Sequence, residues 1–152
     1  VKYLLTKDDE GGATLAEWGL YAAADETIVL QLWDANLGVR AYRTSDAAIS
    51  TGVPHQIAVT YNGGGGATAA NGILVYVDGA VVASTATNAP TYVAMENLTA
   101  LVHVGSLGDA THSKKFLGKV YVGPAGPVYE QAVLTAAQIK NDYDLIVGAL
   151  GL

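Results

Sequence analysis

Hydrophobic and polar positions alternate with a period of two along most of this chain. The segments 17–23 (EWGLYAA), 27–34 (TIVLQLWD) and 36–44 (NLGVRAYRT) are short and rich in β-branched or aromatic residues, and glycine or polar turns bound them. This pattern predicts strands with one face turned to a core. The same reading applies to 55–61 (HQIAVTY), 72–78 (GILVYVD), 80–86 (AVVASTA), 101–106 (LVHVGS) and 116–122 (FLGKVYV). One segment departs from it. In 134–146 (LTAAQIKNDYDLI), Leu134, Ile139, Tyr143 and Ile146 recur near helical spacing and Thr135 stands where a cap belongs, which predicts a short helix over 135–145. Strands at this spacing predict an antiparallel sandwich or barrel. Its expected core is Trp18, Leu20, Ile28, Leu30, Leu32, Val39, Ile57, Val59, Val75, Val77, Leu117 and Ile139, each set on one face of its strand.

The breaks in the pattern are turns. Asp78-Gly79 separates two alternating runs, and a two-residue loop of type I′ needs positive φ at both central residues, which Asp-Gly supplies at little cost. That pairing sets Tyr76 opposite Val81 and Val75 opposite Val82 and makes Asp78 a turn residue rather than a ligand. The run Gly63–Gly66 has neither the helix nor the lysine that a phosphate cradle requires, and it reads as a flexible connection between strands. The GPAGP stretch at 123–127 reads as an irregular bend.

The stretch HQIAVTYNG…GILVYVDGAVVAS, followed in order by VHVGS (102–106), FLGKVYV (116–122) and LTAAQI (134–139), resembles the laminin-G-like domains of the concanavalin A-like lectin and glucanase superfamily. The resemblance covers about residues 50–145 and implies an all-β, antiparallel two-sheet jelly-roll sandwich with one short C-terminal helix. It implies a single domain over 1–152, without the longer N-terminal part that the family usually carries. The opening on Val1, with no Lys- or Arg-led apolar segment, leads to the expectation of a processed product or an excised domain. These motifs specify a fold and leave the function to the site.

Composition narrows the function. A chain of 152 residues with 51% hydrophobic and 14% charged residues is too apolar for a disordered segment and fits one domain with a sizeable core. Its apolar runs are far shorter than the ~20 residues of a membrane span. With 8 Lys+Arg against 14 Asp+Glu and no basic stripe, phosphate neutralisation is not available, so nucleic acid is not an expected partner. The absence of Cys excludes disulfides and thiolate metal sites.

Catalytic chemistry finds little support in the residue pattern. Glycosidases need two carboxyls flanking one bond, and the clustered acids that glycosidases of the superfamily carry on one strand are missing here. The one acidic run, Asp8-Asp9-Glu10 before Gly11-Gly12, reads as a solvated hairpin loop, with a calcium site as the functional alternative because oxygen-rich loops suit that ion. His55, His103 and His112 show no metal spacing. His55 reads as a structural residue at a strand start, His103 as a solvent-facing strand residue and His112 as a loop residue. A Ser-His-Asp site would have to be assembled without a G-x-S-x-G elbow, and the chain is expected not to be an enzyme. Asn97-Leu98-Thr99 matches the N-glycosylation sequon, which by itself decides no compartment.

Treating 17–23, 27–34 and 36–44 as a meander yields a candidate binding face. Setting Leu20 opposite Leu30 and Leu32 opposite Val39 leaves Tyr21, Val29 and Tyr42 in one row on the other face, Gly19, Gln31 and Arg40 in the next, and Glu17 and Trp33 beyond. Tyr21, Gln31, Trp33, Arg40 and Tyr42 thus combine an aromatic platform with planar polar groups, the mixture that binds sugars and also anchors protein interfaces. The expected function is a non-catalytic recognition or adhesion module for glycan or protein, within a larger extracellular, cell-surface or virion protein. The alternative is a structural or decoration domain of a bacteriophage capsid or tail, packed as homo-oligomer or virion subunits. A glycan-active hydrolase is the remote third. The alanine-, threonine- and glycine-rich composition leans toward the virion reading.

Overall fold

The computed structural model describes residues 1–9, 15–120 and 132–151. Among the described residues nine strands form in chain order: β1 (Lys2–Lys7), β2 (Trp18–Ala22), β3 (Ile28–Asp34), β4 (Val39–Ser45), β5 (Ile57–Tyr61), β6 (Ile73–Val77), β7 (Ala80–Val81), β8 (Ser84–Thr87) and β9 (Val102–Val104). A helix, α1 (Ala136–Leu150), follows. The strands build a six-stranded sheet ordered β8-β4-β3-β2-β1-β9 and a three-stranded sheet ordered β5-β6-β7, with every pairing antiparallel. Leu20, Ile28, Leu30, Leu32 and Ala41 of the first sheet share one buried cluster with Ile73 and Val75 of the second, so the architecture is an all-β sandwich with a C-terminal helix.

Most expected elements form within a residue or two of their predicted limits, and the departures have physical causes. The segment 80–86 is not one strand. Val81 ends the hairpin on β6, and from Ser84 the chain pairs with β4 in the other sheet. The amides at the switch remain bonded, since Val82 N donates to Val75 O at 3.0 Å and Asp46 N donates to Ala83 O at 2.9 Å. Residues 116–120 form no strand, and Leu117, expected in the core, is 89% exposed. Lys2–Lys7 forms a strand that the alternation reading did not assign, because a register shift between Tyr3 and Leu5 breaks its period. The β3–β4 register is Leu32↔Ala41 and Asp34↔Val39, two residues away from the expected Leu32↔Val39. A shift of two preserves which residues share a face. It arises because the turn Ala35–Gly38 is tight, with Asp34 Oδ1 accepting from Leu37 N at 3.0 Å and Gly38 at φ +66°.

The rest of the expected core divides clearly. Trp18, Val39, Ile57 and Val59 are half-buried against the cluster, Ile139 is buried, and Val77 is half-buried beside a cleft. Ala69, Ala70 and Tyr92 join the core unforeseen. The glycine run proves to be a close approach. A Cβ on Gly65 would collide with Val93 O, and Gly66 N donates to that oxygen at 2.6 Å, so the run is held against the 92–94 backbone. A short 3-10 turn, Ala69–Gly72, then delivers the two buried alanines. The helix runs to Leu150, past its predicted end at 145. Thr135 and Gln138 form a reciprocal capping box at its start, and Gly151 closes it at φ +67°. The GPAGP bend lies outside the described residues.

Asp34 and Glu96 clamp the β3–β4 turn to the loop that closes the sandwich. Asp34, buried, accepts from Leu37 N and from Val93 N, each at 3.0 Å. In return, Glu96 accepts from Ala35 N at 2.6 Å and from Asn36 Nδ2 at 2.8 Å. Burial pushes the Asp34 carboxyl up, but hydrogen bonds from the amides of Val93, Leu37 and Ala94 outweigh it and hold the group below the usual carboxylate range. The carboxylate therefore stabilises the fold above the ordinary carboxylate pKa, and this contribution is lost as pH falls through the lowered value. Asp34→Ala should cost about 2–4 kcal/mol in urea unfolding, because it strands two amides without an acceptor. The variant should also lose less stability than the native protein on acidification; an unchanged acid limb would show that Asp34 is not the group responsible.

Candidate functional site

The face of the six-stranded sheet that points away from the core carries the expected binding residues. The observed pairings put Gln31 beside Tyr42 and Trp33 beside Arg40, with Tyr21 beside Val29. All five expected residues meet in one connected group. The Arg40 guanidinium lies 5.5 Å from the Trp33 ring centroid and 5.5 Å from that of Tyr42. Arg40 Nη1 donates to Gln31 Oε1 at 3.1 Å, and Tyr21 Oη approaches the same oxygen at 3.5 Å. Arg40 is exposed, Trp33, Tyr42 and Tyr21 are half-buried, and Gln31 is buried beneath them. The two-residue register correction changes which rows are neighbours: Tyr42 lies beside Gln31 rather than Val29, and Arg40 beside Trp33 rather than Gln31. Arg40 is thereby set against the indole, where stacking and charge–quadrupole attraction act together.

Tyr3 belongs to this face and was missed. In a regular strand Tyr3 and Leu5 would share a face. The register shift between them sends Leu5 opposite core residue Leu20 and Tyr3 opposite Tyr21, with the two tyrosine rings 5.2 Å apart. Gly19 makes room for the ring, because a Cβ there would lie 2.7 Å from Tyr3 Cε1. Lys114 Nζ sits 5.8 Å from the Tyr3 ring centroid, and Tyr3 N donates to Lys114 O at 3.0 Å. A glycine in the strand interior, two residues before the outward-facing Tyr21, was the one sequence signal available for this close approach.

The acidic run is placed differently. Asp8 is buried. Asp9 Oδ1 accepts from Leu101 N at 3.1 Å and lies 3.3 Å from His103 Nε2, and Glu10 lies outside the described residues. Asp9 is thus engaged by an amide and an imidazole rather than by a second carboxylate. Among the described residues no group of three or more His, Cys, Asp or Glu side chains is arranged to hold a metal ion. His103 is half-buried, while its neighbours Val102 and Val104 are exposed, which reverses the expected orientation of that strand. The ring tucks under Gly108, where a Cβ would come within 2.6 Å of it, and lies 5.7 Å from that of His112.

Asp78 is the turn residue the sequence indicated, at φ +53° with Gly79 at φ +75°; the expected pair Tyr76↔Val81 forms, next to Val77↔Ala80, and Val82 N donates to Val75 O at 3.0 Å beyond the paired residues. Its carboxylate does more than turn the chain. Oδ1 accepts from Gln56 N at 3.0 Å, and Oδ2 lies 2.7 Å from His55 Nδ1. No helix among the described residues is long and apolar enough to cross a membrane. Comparison of the chain with protein-family models, with curated proteins and with solved structures finds no match.

The Tyr3 phenol is pushed up to about 12, first by burial and then by Asp8 and Tyr21, with Arg40 opposing. Because the folded value exceeds the ordinary 10.0, the unfolded chain loses this proton first as pH rises. Stability should therefore be intact below about pH 10 and fall toward pH 12. Tyr3→Phe should reduce that alkaline loss in denaturant unfolding followed against pH. An identical slope would place the ring outside the buried cluster.

Proposed function

We propose that this protein is a recognition or adhesion module whose binding surface is the outer face of the six-stranded sheet, with a saccharide as ligand. The observation that carries the reading is the Trp33–Arg40–Tyr42 group, half open to solvent and tied through Gln31 to Tyr21. Indole and phenol rings cover the apolar face of a pyranose, and a guanidinium and a carboxamide bond its hydroxyls. We further propose a laminin-G-like jelly roll as the finer fold. The Asp78-Gly79 hairpin and the Thr135-capped helix support it, each at the position the resemblance implies. In that setting the domain serves a larger extracellular, cell-surface or virion protein.

One observation favours a second reading, a subunit of a larger assembly such as a bacteriophage particle. Leu101, Val102 and Val104 are exposed on and beside β9, the last strand of its sheet, and an apolar edge of this kind is a natural contact between copies. Sedimentation separates the two readings, since a monomer that binds glycan supports recognition and a stable trimer without ligand supports assembly.

The double substitution Trp33→Ala with Tyr42→Ala tests the proposed surface on a glycan array. Binding should fall at least tenfold while the melting temperature stays close to that of the native protein. A loss of several kcal/mol in stability would show instead that both rings are internal packing, and the recognition reading of this face would fail.

A further inference from the structure

A second group of side chains lies on the other side of β4, where the loop after Ser45 meets the β6–β7 hairpin. Ser50 Oγ is 2.8 Å from His55 Nε2, and His55 Nδ1 is 2.7 Å from Asp78 Oδ2. A carboxylate oxygen only accepts, so Nδ1 carries the proton, and in the neutral ring Nε2 is then left as the acceptor for the Ser50 hydroxyl. This is the hydrogen-bond order of a serine nucleophile, its base and the group that orients the base.

Backbone contacts hold the residues next to Ser50 and His55, and Asp78 itself. Ile49 N donates to Glu26 O at 3.0 Å, which anchors the loop next to Ser50. Asp78 is fixed on three sides: Oδ1 accepts from Gln56 N at 3.0 Å, its own amide donates to Gln56 O at 2.9 Å, and the neighbouring Gly79 N donates to Gln56 Oε1 at 3.1 Å. Ser50 is exposed, whereas the His55 side chain is only 16% exposed. The nucleophile is thus reachable and the base is sheltered.

A cleft of about 260 Å³ opens beside the pair, with Ser50 and His55 in its wall and Ala47, Ala48, Ile49, Val77, Val82 and Ala83 giving it an apolar lining. Thr51 and Gly52, directly after the serine, are exposed.

We propose that Ser50, His55 and Asp78 form a hydrolytic site for short-chain carboxylic esters. Ser50 Oγ attacks the ester carbonyl as its proton passes to His55 Nε2. The tetrahedral adduct collapses, the C–O bond to the alcohol breaks, and the leaving alkoxide takes the proton from His55. Water then repeats the sequence on the acyl-serine, giving the carboxylic acid and free Ser50. Asp78 positions the imidazole and touches no substrate. The cleft of about 260 Å³ has room for a short acyl group. The site shares no residue with the aromatic face, so its activity is independent of the recognition reading.

The test uses the full 152-residue chain with two probes, a fluorophosphonate read by intact mass and p-nitrophenyl acetate read by rate. A single covalent adduct at Ser50 is expected, together with hydrolysis of the acetate. Ser50→Ala, an exposed change, should melt like the native protein, take no label and lose about 100-fold or more in rate. Asp78→Asn keeps a residue tolerant of positive φ. It should lower kcat with little change in KM and alter the pH profile of kcat, a readout that a purely structural turn residue would not move. No adduct, an adduct elsewhere, or a Ser50→Ala protein as active as the native one would overturn the proposal.

Discussion

The sandwich depends on the crossing at Val82–Ala83. Two sheets can bury one shared apolar layer only if the chain passes from one to the other without stranding backbone groups in the interior. Here the crossing takes two residues, and its bonds are split between the sheets: Val82 N bonds to β6, and Ala83 O takes Asp46 N from the loop after β4. Arg43 secures the far side, with Nε donating to Ser84 Oγ at 2.7 Å and Nη2 to Ser84 O at 2.9 Å. The guanidinium sits on the core side of β4, opposite Leu30, and Ser84 supplies two of its acceptors. Because the crossing is short, the β6–β7 turn stands beside the loop that carries Ser50 and His55, and Asp78 Oδ2 comes within 2.7 Å of His55 Nδ1.

Asp78 shows one residue meeting two demands. Its backbone accepts the positive φ of a two-residue turn, which several residue types would satisfy. Its carboxylate reaches the start of β5, where Gln56 N and His55 Nδ1 converge on it. Glycine or asparagine would serve the turn, but only a carboxylate pairs with the imidazole as an acceptor on both oxygens. The next residue is constrained as tightly, since a Cβ on Gly79 would lie 2.9 Å from both Lys140 and Tyr143 of α1. The helix therefore closes over the same turn, and its capping box fixes where that closure begins.

On the opposite side of the main sheet, a single irregularity has an outsized effect. The shift between Tyr3 and Leu5 lets β1 supply a leucine to the core and a tyrosine to the outer face from positions of the same parity. Gly19 receives the ring, and the tyrosine pair then borders the Trp33–Arg40–Tyr42 group. Arg40 works in this setting as an organiser: it lies between the Trp33 and Tyr42 rings, and its bond to the buried Gln31 fixes where it stands.

The sequence by itself determined the local chemistry. Alternation placed β2 to β6 and assigned the faces of the meander, Asp78-Gly79 marked its hairpin, and Thr135 marked the helix start, because each rests on contacts within a few residues. The five residues of the aromatic face were legible for the same reason, since face membership survives a register error of two. Tertiary structure decided everything that needed a distant partner. Leu117 has the pattern of a core residue but no strand to hold it, and 80–86 has the pattern of one strand but divides between two sheets. The shift that turns Tyr3 outward is visible only once β2 is paired beside it. Ser50, His55 and Asp78 fall in a turn, a strand start and a hairpin, none of which signals chemistry alone. Hydrogen bonds across 5 and 23 residues bring them together, and such closure depends on where the chain crosses between sheets, a global property that no local pattern encodes.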